Sequence, residues 1–113
     1  MKIRSLLVLT TFASLAACSS IAPVTNDIPS AIANAATAGD HARLAEYFDR
    51  KTMEYSAEAE RHERMQKAYT SNPKSSPGTM AEHCRSLRAK FIEAARESKT
   101  LAEEHRKLSA AVR

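Results

Sequence analysis

Two long segments of this chain repeat their apolar residues every seven positions, and a short stretch rich in proline and glycine separates them. A seven-residue apolar period is typical of an α-helix that packs lengthwise against another helix. Pro73, Pro77 and Gly78 interrupt the pattern, because proline lacks a backbone donor and clashes with the preceding helical turn. The sequence therefore predicts one helix over about 40–69 and a second over about 80–112.

The repeat also predicts the seam, the face that each helix turns toward its neighbour. On the first helix the expected seam is His41, Phe48, Tyr55, His62 and Tyr69, with Leu44 or Ala45, Thr52, Ala59 and Met65 or Gln66. On the second helix one expected line is Met80, Leu87, Ala94, Leu101 and Leu108, and the other is Cys84, Phe91, Ser98, His105 and Val112. A connection this short places consecutive helices side by side and antiparallel. We therefore expect an all-α fold, a coiled-coil-like hairpin of two long antiparallel helices over 39–113.

The predicted seam is narrow and interrupted by polar residues. A domain this small buries little apolar surface by itself and usually depends on a staple or on self-association. The simplest solution is a homodimer with two-fold symmetry, in which two hairpins form a four-helix bundle.

The charge of the chain argues against a nucleic-acid partner. The seventeen lysines and arginines face thirteen acidic residues, for a formal net charge of +4. The basic residues alternate with acids and form no run, a pattern typical of a solvated helix surface. We therefore expect no nucleic-acid binding.

The N-terminal segment combines a positive start with a short apolar stretch. Lys2 and Arg4 precede an apolar run that ends in Leu15-Ala16-Ala17-Cys18. The run is too short for a spanning helix, which needs about 20 apolar residues, and it matches the plan of an export signal. It resembles a bacterial lipoprotein signal peptide with its lipobox. The resemblance implies that residues 1–17 are removed and that Cys18 carries a diacylglycerol and an N-acyl chain such as palmitate.

The same resemblance implies a location. Two or more acyl chains hold a protein stably on a membrane. In lipoproteins of double-membrane bacteria, Ser at the position of Ser19 resembles a signal for passage to the outer membrane. We therefore expect a lipid-anchored protein of the cell envelope, on the outer membrane and facing the periplasm.

Residues 18–38 are expected to be a flexible tether. Residues 30–36 could form one or two weak helical turns, which Gly39 would end. Asp40 is the expected N-cap of the first long helix, and Thr79 with Glu82 is the expected capping box of the second.

Three short stretches also resemble small uncharacterised exported helical proteins of bacteria. They are Asp40-His-Ala-Arg-Leu-Ala-Glu-Tyr-Phe, Met80-Ala-Glu-His-Cys-Arg-Ser-Leu and Leu101-Ala-Glu-Glu-His. This resemblance implies a helical hairpin in the envelope and assigns no functional residue beyond Cys18.

The histidines and Cys84 are the candidate metal ligands. Pairing the helices about a loop centred near residue 75 predicts two sites, His62 with Cys84 and perhaps His83, and His41 with His105. Thiolate and imidazole suit Zn or Cu, and bundle cores also hold haem. The alternative is that these side chains only pack in the seam. Cys84 could equally be a buried thiol or form a disulfide between chains.

The sequence therefore predicts a non-enzymatic structural or interaction module with no catalytic residue and no resident cofactor. Its expected partners are the membrane, a second copy of the chain and an envelope protein. The first alternative is a Zn-, Cu- or haem-binding envelope protein that uses the sites above. A further alternative is an acid sensor, because imidazole titrates near neutral pH.

Overall fold

The computed structural model describes residues 27–72, 74 and 78–112. They form a short helix α1 (Ile28–Ala33) and two long helices, α2 (Ala38–Ser71) and α3 (Gly78–Ala111). The long helices have 34 residues each and are therefore about 51 Å long. They pack against each other along their length as a helical hairpin, and the described residues contain no strand. The prediction of an all-α hairpin is confirmed.

The N-terminal ends of α1 and α2 are fixed by capping side chains. The Asp27 carboxylate accepts a hydrogen bond from the Ser30 amide at 3.0 Å, which opens α1. At α2 the N-cap is Thr37, whose hydroxyl accepts from the Asp40 amide at 3.1 Å while the Asp40 carboxylate accepts from the Thr37 amide at 2.9 Å. This reciprocal pair is a capping box.

The starts of both long helices differ from the sequence prediction. Asp40 is the third residue of α2 and not its N-cap, so the helix begins two residues earlier and includes Gly39. α3 likewise begins at Gly78, so Thr79 lies inside the helix, and Glu82 forms an ion pair with Arg85 at 3.0 Å. The helical turns expected over 30–36 occur as α1, so part of the expected tether is helical. Cys18 and the rest of the lipobox lie outside the described residues.

The seam differs from the prediction on one side. On α2 the expected residues Leu44, Ala45 and Ala59 are buried. On α3 the expected residues Cys84 and Ser98 are buried, and Phe91 and His105 are half-buried. Val112, expected at the end of the same line, is exposed, so its assignment to the seam is wrong. The second buried line of α3, however, holds Ala95 and Ala102, and its other members are Ala81, Arg88 and Ser109.

The line predicted instead, which we call the outer stripe, is Met80, Leu87, Ala94, Leu101 and Leu108. Its four large residues are between 39% and 45% exposed, so their assignment to the seam within one hairpin is wrong. Alanine allows two helix backbones to come close, whereas leucine would hold them apart. Rings from both helices can interleave only when the helices lie close together. The alanine line therefore faces α2, and the leucines do not.

None of the helices in the described part of the chain combines the length and the apolar character needed to cross a bilayer.

Candidate functional site

Aromatic rings from α2 and α3 alternate along the centre of the seam. On α2 they occur every seven residues, and each ring contributed by α3 lies between two of them. Two clusters result, one around His105 and one around Phe91. These clusters contain three of the predicted site residues, His41, His62 and His105.

The first cluster lies near the start of α2 and the end of α3. The His105 ring stacks against His41 with 5.4 Å between centroids and against Phe48 with 5.7 Å. The rings of Phe48 and His105 are nearly parallel, at 6°. The predicted pairing of His41 with His105 is therefore confirmed as a contact.

The two imidazoles of this cluster face each other through the same kind of nitrogen. Nδ1 of His41 lies 3.1 Å from Nδ1 of His105, which is hydrogen-bond distance. One ring must then donate a proton and the other accept it, so two doubly protonated rings are incompatible with this contact. Burial, and next the charge of His41, lower the pKa of His105 from its usual value of 6.5.

Hydrogen bonds from the helix ends hold the His41–His105 pair in place. The Ser109 hydroxyl donates to the Ala38 carbonyl at 2.8 Å, which ties the last turn of α3 to the first turn of α2. In the capping box, the Thr37 hydroxyl and the amides of Ala36 and Thr37 donate to Asp40 and lower its pKa to about 2. The residue preceding His41 is thus a fixed carboxylate that also pairs with Arg43.

The distance between the two Nδ1 atoms fits one mode of metal binding. An ion with bonds of about 2.05 Å to both nitrogens would hold them at an angle of roughly 100°. Neighbouring ligands of a tetrahedral or square-planar ion stand at roughly 90–110°, so the distance between the two nitrogens matches that of two neighbouring ligands of Zn or Cu. Two imidazoles on opposite faces of a haem iron would be roughly 4 Å apart with the macrocycle between them. The pair does not fit that arrangement.

The second cluster lies nearer the loop. The Phe91 ring stacks between His62, at 5.4 Å between centroids, and Tyr55, at 6.2 Å. Nδ1 of His62 is buried and has no hydrogen-bond partner within the described part of the chain. His62 therefore takes part in the seam mainly through its ring face.

Among the described residues, His62, Cys84 and His83 do not form a group of three metal ligands. Cys84 is a buried free thiol one heptad before Phe91, whereas His83 is solvent-exposed, so these neighbours face different sides of α3. No hydrogen bond joins His62 and Cys84 among the described residues. Within the same residues, no group of three His, Cys, Asp or Glu side chains is placed to share a metal ion. A metal at His62 and Cys84 stays a prediction without a geometric argument.

The two flanks of the hairpin differ in character. On one flank charged side chains join the helices, with Asp49 2.6 Å from Arg106 and Glu63 3.7 Å from Arg88. The opposite flank of α3 carries the exposed outer stripe. Sequence reasoning missed this surface because it assigned the same residues to the seam. The alanines at seven-residue spacing on α3 were the signal that could have revealed it.

Comparison with protein families, curated proteins and solved structures finds no match to this chain.

Proposed function

We propose that this chain is a lipid-anchored protein of the cell envelope whose hairpin is a non-enzymatic structural or interaction module. Two features support the proposal. The lipobox-like segment Leu15-Ala16-Ala17-Cys18 supplies the anchor, and Ser19 favours the outer membrane. The outer stripe supplies an apolar surface at heptad spacing along most of α3, and an exposed apolar patch of this kind is typical of an interaction site.

The outer stripe is the observation on which the proposal rests. The seam uses its histidines and aromatic residues to join α2 to α3, whereas the stripe is left for another molecule. A long, stiff hairpin on a membrane tether presents such a stripe well away from the membrane surface. Its partner is a second copy of the chain or another envelope protein.

Intact-mass analysis of the protein from a bacterial membrane fraction tests the anchor. We expect a chain that begins at Cys18 and carries the mass of a diacylglycerol and an acyl group. Cys18→Ala should abolish the added mass and release the protein from the membrane. Cys84→Ala is the matched control, because it removes the other cysteine, and it should leave the lipid in place. An unmodified Cys18 in the membrane-bound protein would refute the anchor.

Complementation tests the non-enzymatic role. In cells that depend on this protein, Leu87→Lys with Leu101→Lys should abolish function, because it places charge on the stripe. Cys84→Ala and His62→Phe should support normal function. Loss of function in the seam variants alone, with folding intact, would contradict the interaction role.

We propose metal binding at His41 and His105 as a second candidate function, on the basis of their 3.1 Å approach. Native mass spectrometry of the full chain, purified without a polyhistidine tag, should then show a bound Zn or Cu ion. His105→Phe should lose the ion, and His83→Gln, which changes an exposed histidine, should retain it. A metal-free chain after incubation with either ion would exclude this candidate.

A further inference from the structure

The order of residues along the outer stripe is nearly the same in both directions. Met80, Leu87, Ala94, Leu101 and Leu108 are spaced by seven, with the small residue at the centre and large residues on either side. Two such stripes that run antiparallel and cross at Ala94 place Leu87 opposite Leu101 of the second copy. Met80 then lies opposite Leu108 of that copy. A surface that matches itself under a two-fold rotation is what a symmetric dimer requires.

The charges beside the stripe match in the same register. The neighbouring line of α3, on the side away from α2, contains His83, Lys90, Glu97 and Glu104, all exposed. With Ala94 on the two-fold axis, Lys90 comes within one residue of the level of Glu97 of the second copy, and His83 comes within one residue of the level of Glu104. Each pairing occurs twice, and each joins a basic with an acidic side chain. A parallel arrangement would instead put the flanking lines of the two copies on opposite sides of the interface, so neither pairing could form.

We infer that the outer stripe binds a second copy of this chain, with the two α3 helices antiparallel and the two-fold axis at Ala94. The seam already binds α3 to α2 on the adjacent side, so the second copy completes a four-helix bundle. This inference deepens the interaction role proposed above by naming its partner and register. It is independent of lipidation, which the mass of Cys18 tests separately.

Cysteine cross-linking in cell membranes tests the register on the full chain. In a Cys84→Ala background, Ala94→Cys should give a disulfide-linked dimer, because the two thiols meet at the axis. Leu87→Cys combined with Leu101→Cys should also give a dimer. Leu87→Cys alone should not, because the two copies of that position would be roughly 21 Å apart along the helix. Ala89→Cys, an equal change on another face of α3, is the control.

The cross-linking outcomes separate the possible partners. An equal dimer yield from Ala89→Cys and Ala94→Cys would mean random encounters and would overturn the inference. A strong dimer from Leu87→Cys alone would mean a parallel arrangement, which also overturns it. A cross-link from Ala94→Cys to a different protein would assign the stripe to that protein.

A charge exchange tests the same register without changing any cysteine. Lys90→Glu and Glu97→Lys each place like charges together twice per dimer, and each should raise the dissociation constant about tenfold in sedimentation equilibrium of the full chain in detergent. The variant with both changes should return to the wild-type value. The helical circular dichroism should be unchanged, since both side chains are exposed. A monomeric wild-type chain, or single variants as tight as the wild type, would overturn the inference.

Discussion

The Nδ1 atoms of His41 and His105 meet at 3.1 Å across the two long helices, and the ring of His105 continues into a stack with Phe48. This contact joins the first turn of α2 to the last full turns of α3. The contact is a hydrogen bond when one of the two Nδ1 atoms carries a proton. It is lost when both of them do. The pair is therefore both a packing element of the seam and a contact that acid should weaken.

Acid is expected to destabilise the hairpin through His105. Its pKa is lowered in the folded chain, so the unfolded chain binds a proton more readily. The contribution of this residue to stability is therefore complete above about pH 6.5 and is lost as the pH falls through 6.5 toward the folded pKa. Melting temperatures measured by circular dichroism from about pH 8 to about pH 5 would show this loss of stability.

His105→Phe should flatten that pH dependence, because phenylalanine keeps the stack and does not titrate. His83→Gln is the control, and its stability should depend on pH in the same way as that of the wild type. A His105→Phe variant with an unchanged pH dependence would assign the acid sensitivity to another group.

Two neighbouring residues of α3 are expected to differ in how strongly a change of side-chain size destabilises the hairpin. Ala102 is fully buried against α2, so Ala102→Leu should push the helices apart and lower the free energy of unfolding by about 1–3 kcal/mol. Leu101 is 44% exposed, and Leu101→Ala should cost less than about 1 kcal/mol. Urea unfolding at low protein concentration, where self-association contributes little, measures both. A larger loss of stability for Leu101→Ala than for Ala102→Leu would mean that the outer stripe lies in the seam.

Replacing His62 with phenylalanine is expected to stabilise the hairpin. The ring would keep its stack on Phe91, and the buried nitrogen without a partner would be removed. The free energy of unfolding should rise by about 1 kcal/mol in urea unfolding. His83→Phe, at an exposed site, should leave it unchanged. If His62→Phe is destabilising, Nδ1 of His62 has a partner such as a bound water or ion.

The capping box at the start of α2 is expected to contribute measurably to the stability of the hairpin. Thr37→Ala removes the hydroxyl that accepts from the Asp40 amide and should lower the free energy of unfolding by about 1 kcal/mol. Thr100→Ala is the matched control, because its hydroxyl donates to the carbonyl of Arg96 in mid-helix and caps no helix end. Thermal unfolding of both variants would compare them. Equal losses would mean that α2 does not depend on its capping box.

The helices themselves were predictable because their signals are local. A heptad repeat and a proline- and glycine-containing interruption are read from neighbouring residues, and the short connection then fixes an antiparallel register. That register correctly placed His41 beside His105. The helix starts were less accurate, because Thr37 and Asp40 form a reciprocal cap that outcompetes Asp40 acting alone.

The sequence by itself thus determined two antiparallel helices, their register and the aromatic line of the seam. Only the tertiary structure decided which second line of α3 faces α2. Two lines, one of leucines and one of alanines, flank the aromatic line and share its seven-residue period, so periodicity cannot distinguish them. Close packing can, because rings that stack at 5.4 Å require near helices, which Ala95 and Ala102 permit. The leucines are consequently left on the surface.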